Sequence, residues 1–301
     1  MGAEGNNRIT THIPVMPEEV ACFLNCRPGQ TILDCTLGEG GHASLLASKI
    51  SPGGCLIGID RDGEAIEIAR RQLKKFGESI KIEQANFCDL REVIERTGID
   101  KVDGILFDLG VNSSQLQNPH RGFSFRVDGP LDMRMDSRED CRASDLVNRL
   151  GRKELEWVIR EYGEERFAGR ISRRIVEERS AGPIINTGRL ARIVAEAQPG
   201  RGKIHPATRT FQALRIYLNG ELEALEKALP VAISMLKSGG RICVISFHSL
   251  EDRIVKYEFR RWDRQEGLLR ILTKKPVRPG VEEVRKNPRS RSAKLRAAEK
   301  I

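Results

Sequence analysis

Asp34, Gly38, Glu39, Gly40, Ala43 and Asp60 are the residues whose types and spacing first imply chemistry. Gly38, Gly40 and Ala43 fit the G-x-G-x-x-G/A turn, in which missing side chains let backbone amides approach a nucleotide. Asp60 closes the apolar run CLIGID, 22 residues after Gly38, where a carboxylate can accept hydrogen bonds from ribose hydroxyls. A dinucleotide fold usually sets its first glycine directly after the strand, so that a pyrophosphate rests on the next helix N-terminus. Here Asp34 stands at the strand tip and Glu39 inside the loop. Two carboxylates repel a diphosphate but suit a ligand with an ammonium, a sulfonium and no phosphate. S-adenosylmethionine is such a cofactor, and the charge argument favours methyl transfer over hydride transfer.

Positioning these residues requires a parallel sheet with crossover helices. TILDCT, CLIGID, IKIEQANF and VDGILFDLG read as four strands, and His42 to Ile50 and Glu64 to Phe76 carry helical apolar spacing between them. After Asp108 the alternation breaks. A Gly-, Pro-, Asn- and Asp-rich stretch over residues 114–137 precedes helical segments at Lys153 to Tyr162, Glu165 to Glu178 and Thr187 to Ala197. A long helix is expected from Pro206, with Phe211, Leu214, Leu218, Leu222, Leu225 and Leu229 as its apolar stripe, stopping at Pro230. VAISMLKSGGRICVISF then reads as a helix, a Gly-Gly turn and a fifth strand. The expected fold is α/β: a class I, Rossmann-like methyltransferase sheet over residues 1–113 and 209–301, interrupted by a mainly helical substrate-recognition domain over residues 114–208.

The net charge of +9 over 301 residues is unevenly spread. From Glu251 to Ile301 there are 16 Lys and Arg against 8 Asp and Glu. Such a basic C-terminal segment suggests a polyanionic partner, because each phosphate contact releases counterions. A solvated, solubilising tail is the alternative. No apolar run is long enough to span a membrane, and the start lacks the apolar core of a secretory signal, so the expected compartment is the cytoplasm. Seven scattered cysteines with no C-x-x-C pair support neither a disulfide frame nor a zinc site, and no metal is expected; most are expected to be small buried hydrophobes. A homodimer is left open.

Several blocks resemble the ribosomal RNA small subunit methyltransferase H family. They are HIPVM from His12, DCTLGEGGH from Asp34, IDRD from Ile59, FDLGVNSSQL from Phe107, RGFSF from Arg121 and DGPLDMRMD from Asp128. YGEERFAGRI from Tyr162, HPATRTFQALRIYLNGELEAL from His205, GGRICVISFHSLEDRIVK from Gly239 and NPRSRSAKLRAAEK from Asn287 continue the series. The blocks run in consistent order along the chain. The resemblance implies an S-adenosylmethionine-dependent enzyme that methylates the exocyclic N4 of a cytosine in the decoding region of 16S rRNA, in the small ribosomal subunit. It also implies cofactor contacts by Gly40, Gly41, His42, Asp60, Phe87 beside the adenine, Asp108 and Gln115. The chain departs from the family pattern at Asn112, Ser114 and Gln117, and between Lys256 and Asn287.

Cytosine N4 is a poor nucleophile because its lone pair is delocalised into the ring. A group must accept its hydrogen bond and favour the charge developing on nitrogen. Asp108, at the end of the fourth strand, suits this role, a cofactor role, or both. No Pro-Pro-aromatic motif follows it, so Phe123 and Phe125, or Phe247 with His248, are the candidates to clamp a flipped base. His248 is also a candidate proton relay. The chain has no Pro-Cys dipeptide, which disfavours covalent attack on cytosine C5. Arg209, Arg215, Arg253, Lys256, Arg289, Arg291, Lys294 and Arg296 are candidate phosphate contacts.

Overall fold

A computed structural model describes residues 14–198 and 204–301; His12 and Ile13 of the HIPVM block lie outside them. The first half alternates as its sequence predicts: α1 (Pro17–Leu24), β1 (Thr31–Asp34), α2 (Gly41–Ile50), β2 (Cys55–Asp60), α3 (Gly63–Leu73), β3 (Ile80–Gln84), α4 (Leu90–Thr97) and β4 (Val102–Asp108). After β4 come α5 (Ser113–Gln117), α6 (Ala143–Arg149), α7 (Arg152–Gly163), α8 (Ala168–Ser180), α9 (Thr187–Ala197) and α10 (Ala207–Asn219). The chain then returns to the sheet through α11 (Glu221–Met235), β5 (Leu236–Ser246), α12 (Ser249–Arg264), β6 (Leu269–Ile271), α13 (Val281–Lys286) and β7 (Lys294–Lys300).

The seven strands lie in the order β3-β2-β1-β4-β5-β7-β6, with β7 antiparallel to both of its neighbours and the other pairings parallel. Successive strand residues point to opposite faces, and the two layers follow that period. Leu33, Ile57, Ile105 and Phe107 pack with residues of α4, α11 and α12. Ile32, Leu56 and Leu106 pack with α1, α2 and α3. A third core joins Phe123, Leu131 and Met133 to α6 through α9, and Phe211 and Leu214 of α10 belong to it.

Three expectations change. The long helix is two: Gly220, in the left-handed region at φ 56°, ends α10 and starts α11. Pro230 lies inside α11, which continues to Met235. The lost backbone hydrogen bond at Pro230 is outweighed by burial of Leu229, Ala232 and Ile233 in the core. The basic C-terminus is no tail, since β7 is an interior strand with Leu295, Ala297 and Ala298 fully buried. Of the seven thiols, all free, only Cys35 and Cys243 are buried.

Candidate active site

A cleft opens at the carboxyl ends of β1 and β4, where the strand order reverses direction and open α/β sheets bind ligands. It encloses about 1170 Å³, counting its open mouth. Gly38, Glu39, Gly41, His42, Asp60, Phe87, Asp108 and Gln115 line it, together with Phe247 and Arg289. The turn after β1 is built by backbone bonds between strand ends. The Leu37 amide donates to the Ile59 carbonyl at 2.8 Å, and the Asp108 amide donates to Thr36 Oγ1 at 2.6 Å. Asp60 accepts from the Gly38 amide at 2.7 Å and the Asp62 amide at 2.9 Å. Its carboxylate thus fixes the turn, and the remaining lone pair on each oxygen is free to accept from a ligand hydroxyl. Phe87 is held edge-on by Phe107, with centroids 5.7 Å apart.

An acid–imidazole pair, buried His42 and half-buried Asp108, lines the cleft. His42 Nε2 lies 3.5 Å from Asp108 Oδ2. Asp34 is fully buried, and its Oδ2, both His42 ring nitrogens and Asp108 Oδ1 have no hydrogen-bonding protein partner of good geometry. Burial raises the Asp34 carboxyl to about 7, against smaller lowering by the His42 charge and the Thr36 amide. Burial alone would lower the His42 pKa, but the Asp108 carboxylate 3.5 Å away and the charges of Asp34 and Glu283 lift it above the ordinary value. Asp60 is likewise raised, chiefly by burial.

Gln115 is oriented by three contacts: its amide nitrogen donates to Asp62 at 2.6 Å, and its side-chain oxygen and backbone amide bond Asn112 as a capping box. Glu39 accepts from the Ser114 amide at 3.1 Å, tying the glycine turn to the start of α5. Phe247 closes the other wall. A Cβ on Gly110, already at φ 103°, would stand 3.6 Å from ring atom Cδ2, so the backbone there runs close to the aromatic ring.

Other expected site residues lie elsewhere. Asp34 is fully buried and off the lining, and Gly40 faces Ala69 and Leu73 of α3, where a Cβ would meet them at 3.3 to 3.4 Å. Phe123 is buried in the third core and Phe125 stacks on His205 and Phe211, so neither reaches the cleft. Their apolar bulk is used for packing. His248 caps α12: Nδ1 accepts from the Glu251 amide at 3.3 Å and Nε2 is 3.2 Å from Glu251 Oε1, which leaves it off the lining. Arg209 is exposed and donates to the Glu164 carbonyl, and Arg253 pairs with Glu164. Arg215 is no phosphate contact, because both of its bonded nitrogens are 2.8 Å from the buried Glu221 carboxylate. Lys294 and Arg296 pair with Asp252, while Arg291 is exposed.

Glu221, Glu251, Arg61 and Met135 also line the cleft and escaped the sequence reading. None carried a local sequence signal: the N-cap before Glu251 is His248, outside the usual Ser or Thr capping pattern, and Glu221 and Met135 reach the cleft only by long-range folding. Glu221, His248 and Glu251 bring donor atoms within 4.8 Å of one another. Both Glu221 oxygens accept from Arg215, and Glu251 accepts from the Phe247 and His248 amides. Burial would raise the Glu251 pKa, but the charges of His248 and Arg215 hold it below the ordinary carboxylate range. The cluster therefore reads as a neutralised ion network.

The profile of the MraW methylase family matches residues 9–301. The chain belongs to the MraW methylase family. It is 52% identical over 308 residues, 96% of this chain and 98% of the relative, to the ribosomal RNA small subunit methyltransferase H of Pelobacter propionicus. It is 51% identical to the protein of that name from Geobacter sulfurreducens, over 97% of this chain and 99% of the relative. Among solved structures, a putative rRNA methylase from Clostridium thermocellum covers 95% of each chain with a TM-score of 0.46 and 13% identity. For a methylase family the strand order, with its reversed seventh strand between the fifth and sixth, is that of a class I methyltransferase sheet.

Proposed function

We propose that this protein transfers a methyl group from S-adenosylmethionine to the exocyclic N4 of a cytosine in the decoding region of 16S rRNA, acting on the small ribosomal subunit. The observation that carries the reading is the acidic, cation-welcoming floor of the cleft, with Asp108 and His42 at the end of β4. The name shared by relatives at about half identity over nearly the whole chain supports the rRNA substrate.

The cleft fits the donor. Buried polar atoms need partners, and the His42 nitrogens and Asp108 Oδ1 on the lining offer them to the amino-acid group beside a sulfonium. Asp60 would take the ribose hydroxyls, Phe87 the adenine, and Gly38, Gly41 and Gln115 the remaining wall. When bound, S-adenosylmethionine supplies an electrophilic methyl group on a cationic sulfur. Asp108 accepts a hydrogen bond from the cytosine amine, aligning its lone pair and favouring positive charge on nitrogen. His42, 3.5 Å away, keeps that carboxylate from turning, and the two together are the group we assign to the released proton. Phe247 is the ring against which the flipped base rests, and residues 114–208, with α10 packed on them, form the unit that meets the substrate.

Purified protein, labelled donor and unmodified small subunits test this. The expected product after digestion to nucleosides is N4-methylcytidine. Asp108→Asn should lower kcat by about 10²- to 10⁴-fold while donor affinity falls less than about tenfold. A product that is 5-methylcytidine, or no transfer at all, overturns the reading.

A further inference from the structure

Two groups stand out within the basic excess of the C-terminal segment. Arg253, Arg261, Arg270, Lys294 and Arg296 are held by carboxylates. Lys256, Arg260 and Arg264 on α12 and Lys274 just past β6 make no ion pair among the described residues, yet they line one groove between α12 and the edge of the sheet. Its floor is Phe259, Ile271 and Thr273, and Asp263 is its single acid, already accepting from the Ile271 amide at 3.2 Å. Arg260, Arg264 and Lys274 are exposed and Lys256 is half-buried.

The groove has a direction. α12 starts two residues after Phe247, at the wall of the cleft, and runs away from it. Lys256, Arg260 and Arg264 recur every fourth residue, so they stand on one flank about 6 Å apart along the axis, a step comparable with the separation of successive phosphates. Four clustered cations facing a single carboxylate, Asp263, are costly to keep together unless a polyanion uses them.

We propose that the groove between α12 and β6 carries the phosphodiester backbone of the RNA that delivers its base to the cleft. The inference rests on the rRNA-methyltransferase reading and adds the surface that reading lacks. Cations repeated along a helix axis and leading to the site of base entry suit a strand of nucleic acid better than the scattered carboxylates of a protein.

The test compares two charge-matched triple variants with the wild-type chain: Lys256→Gln/Arg260→Gln/Arg264→Gln, and Arg71→Gln/Lys74→Gln/Lys75→Gln beside β3, at the opposite edge of the sheet. Binding to small subunits and to a protein-free 16S rRNA fragment is measured across a potassium chloride series, with donor affinity as the control for folding. The groove variant should reduce the slope of log affinity against log salt by about 2 to 3 on both RNAs and leave donor affinity unchanged. The β3-side variant should leave the slope near wild type. An unchanged slope in the groove variant, or an equal fall in both variants, overturns the proposal. So does a fall seen with whole subunits but not with the RNA fragment, which assigns the groove to an acidic ribosomal protein. Wild-type protein that methylates no subunits overturns the function itself, separately from the groove.

Discussion

Asp34 ties the chemistry of single residues to pH. Its carboxyl is raised from 3.8 to about 7 in the fold by burial, so folding favours the protonated form. That contribution to stability is fully present below about pH 4 and is lost as pH rises through about 7. His42, also raised, has the same sign. Asp34→Asn keeps the shape without the charge. Its melting temperature relative to wild type should therefore climb as pH rises from 4 toward 7 and level off above it, as read by thermal unfolding across a buffer series. A difference independent of pH would mean that Asp34 ionises normally in the native state. The acids of the glycine turn were legible because residue type and spacing alone imply a cationic ligand. That Asp34 is buried away from the lining was not, because strand-end position does not say which way a side chain turns.

At the level of elements, the turn depends on space as much as on hydrogen bonds. Gly58 of β2 faces Leu37, and a Cβ there would come 2.7 Å from its methyl carbon. Leu37 would have to move, and with it the amide that anchors the glycine turn to Ile59. Gly58→Ala is expected to weaken donor binding at least tenfold, as measured by calorimetry, although no atom of Gly58 lines the cleft. The junction after α10 makes a second case. Asn219 accepts from the Met135 amide and donates to the Met133 carbonyl, while Arg61 donates to the Asn219 carbonyl and Arg121 bonds Asp62, Glu64 and the carbonyls of Arg134 and Met135. Asn219→Ala should cost about 2 kcal/mol of stability by orphaning buried backbone groups, detectable as a lower denaturant midpoint. Four strands and the helices around the glycine turn were readable from apolar periodicity. The single long helix was not divided in advance, because its stripe runs through the break and only the left-handed Gly220 interrupts it.

For the whole molecule, composition gave the correct sign of charge but not its distribution. Counting Lys and Arg near the C-terminus pointed to residues 289–296, yet folding pairs Lys294 and Arg296 with Asp252 and leaves Lys256, Arg260 and Arg264 of α12 without an ion pair among the described residues. Ion pairing across elements distant in sequence cannot be read from a local tally. The same limit applies to the insertion, whose core draws Phe211 and Leu214 from beyond the expected boundary at residue 208. The described residues contain no helix long and apolar enough to cross a membrane.

The reversed strand between β5 and β6 also bears on how the chain tolerates shortening. Deleting residues 294–301 resembles trimming a basic appendage, but it would strip β5 of its partner from Arg241 to Ser246 and leave β6 unsupported. A bare row of amides and carbonyls on an apolar strand templates intermolecular pairing. The shortened protein should accumulate as insoluble aggregate, measured as the pelleted fraction after lysis, instead of remaining dissolved with weakened RNA affinity.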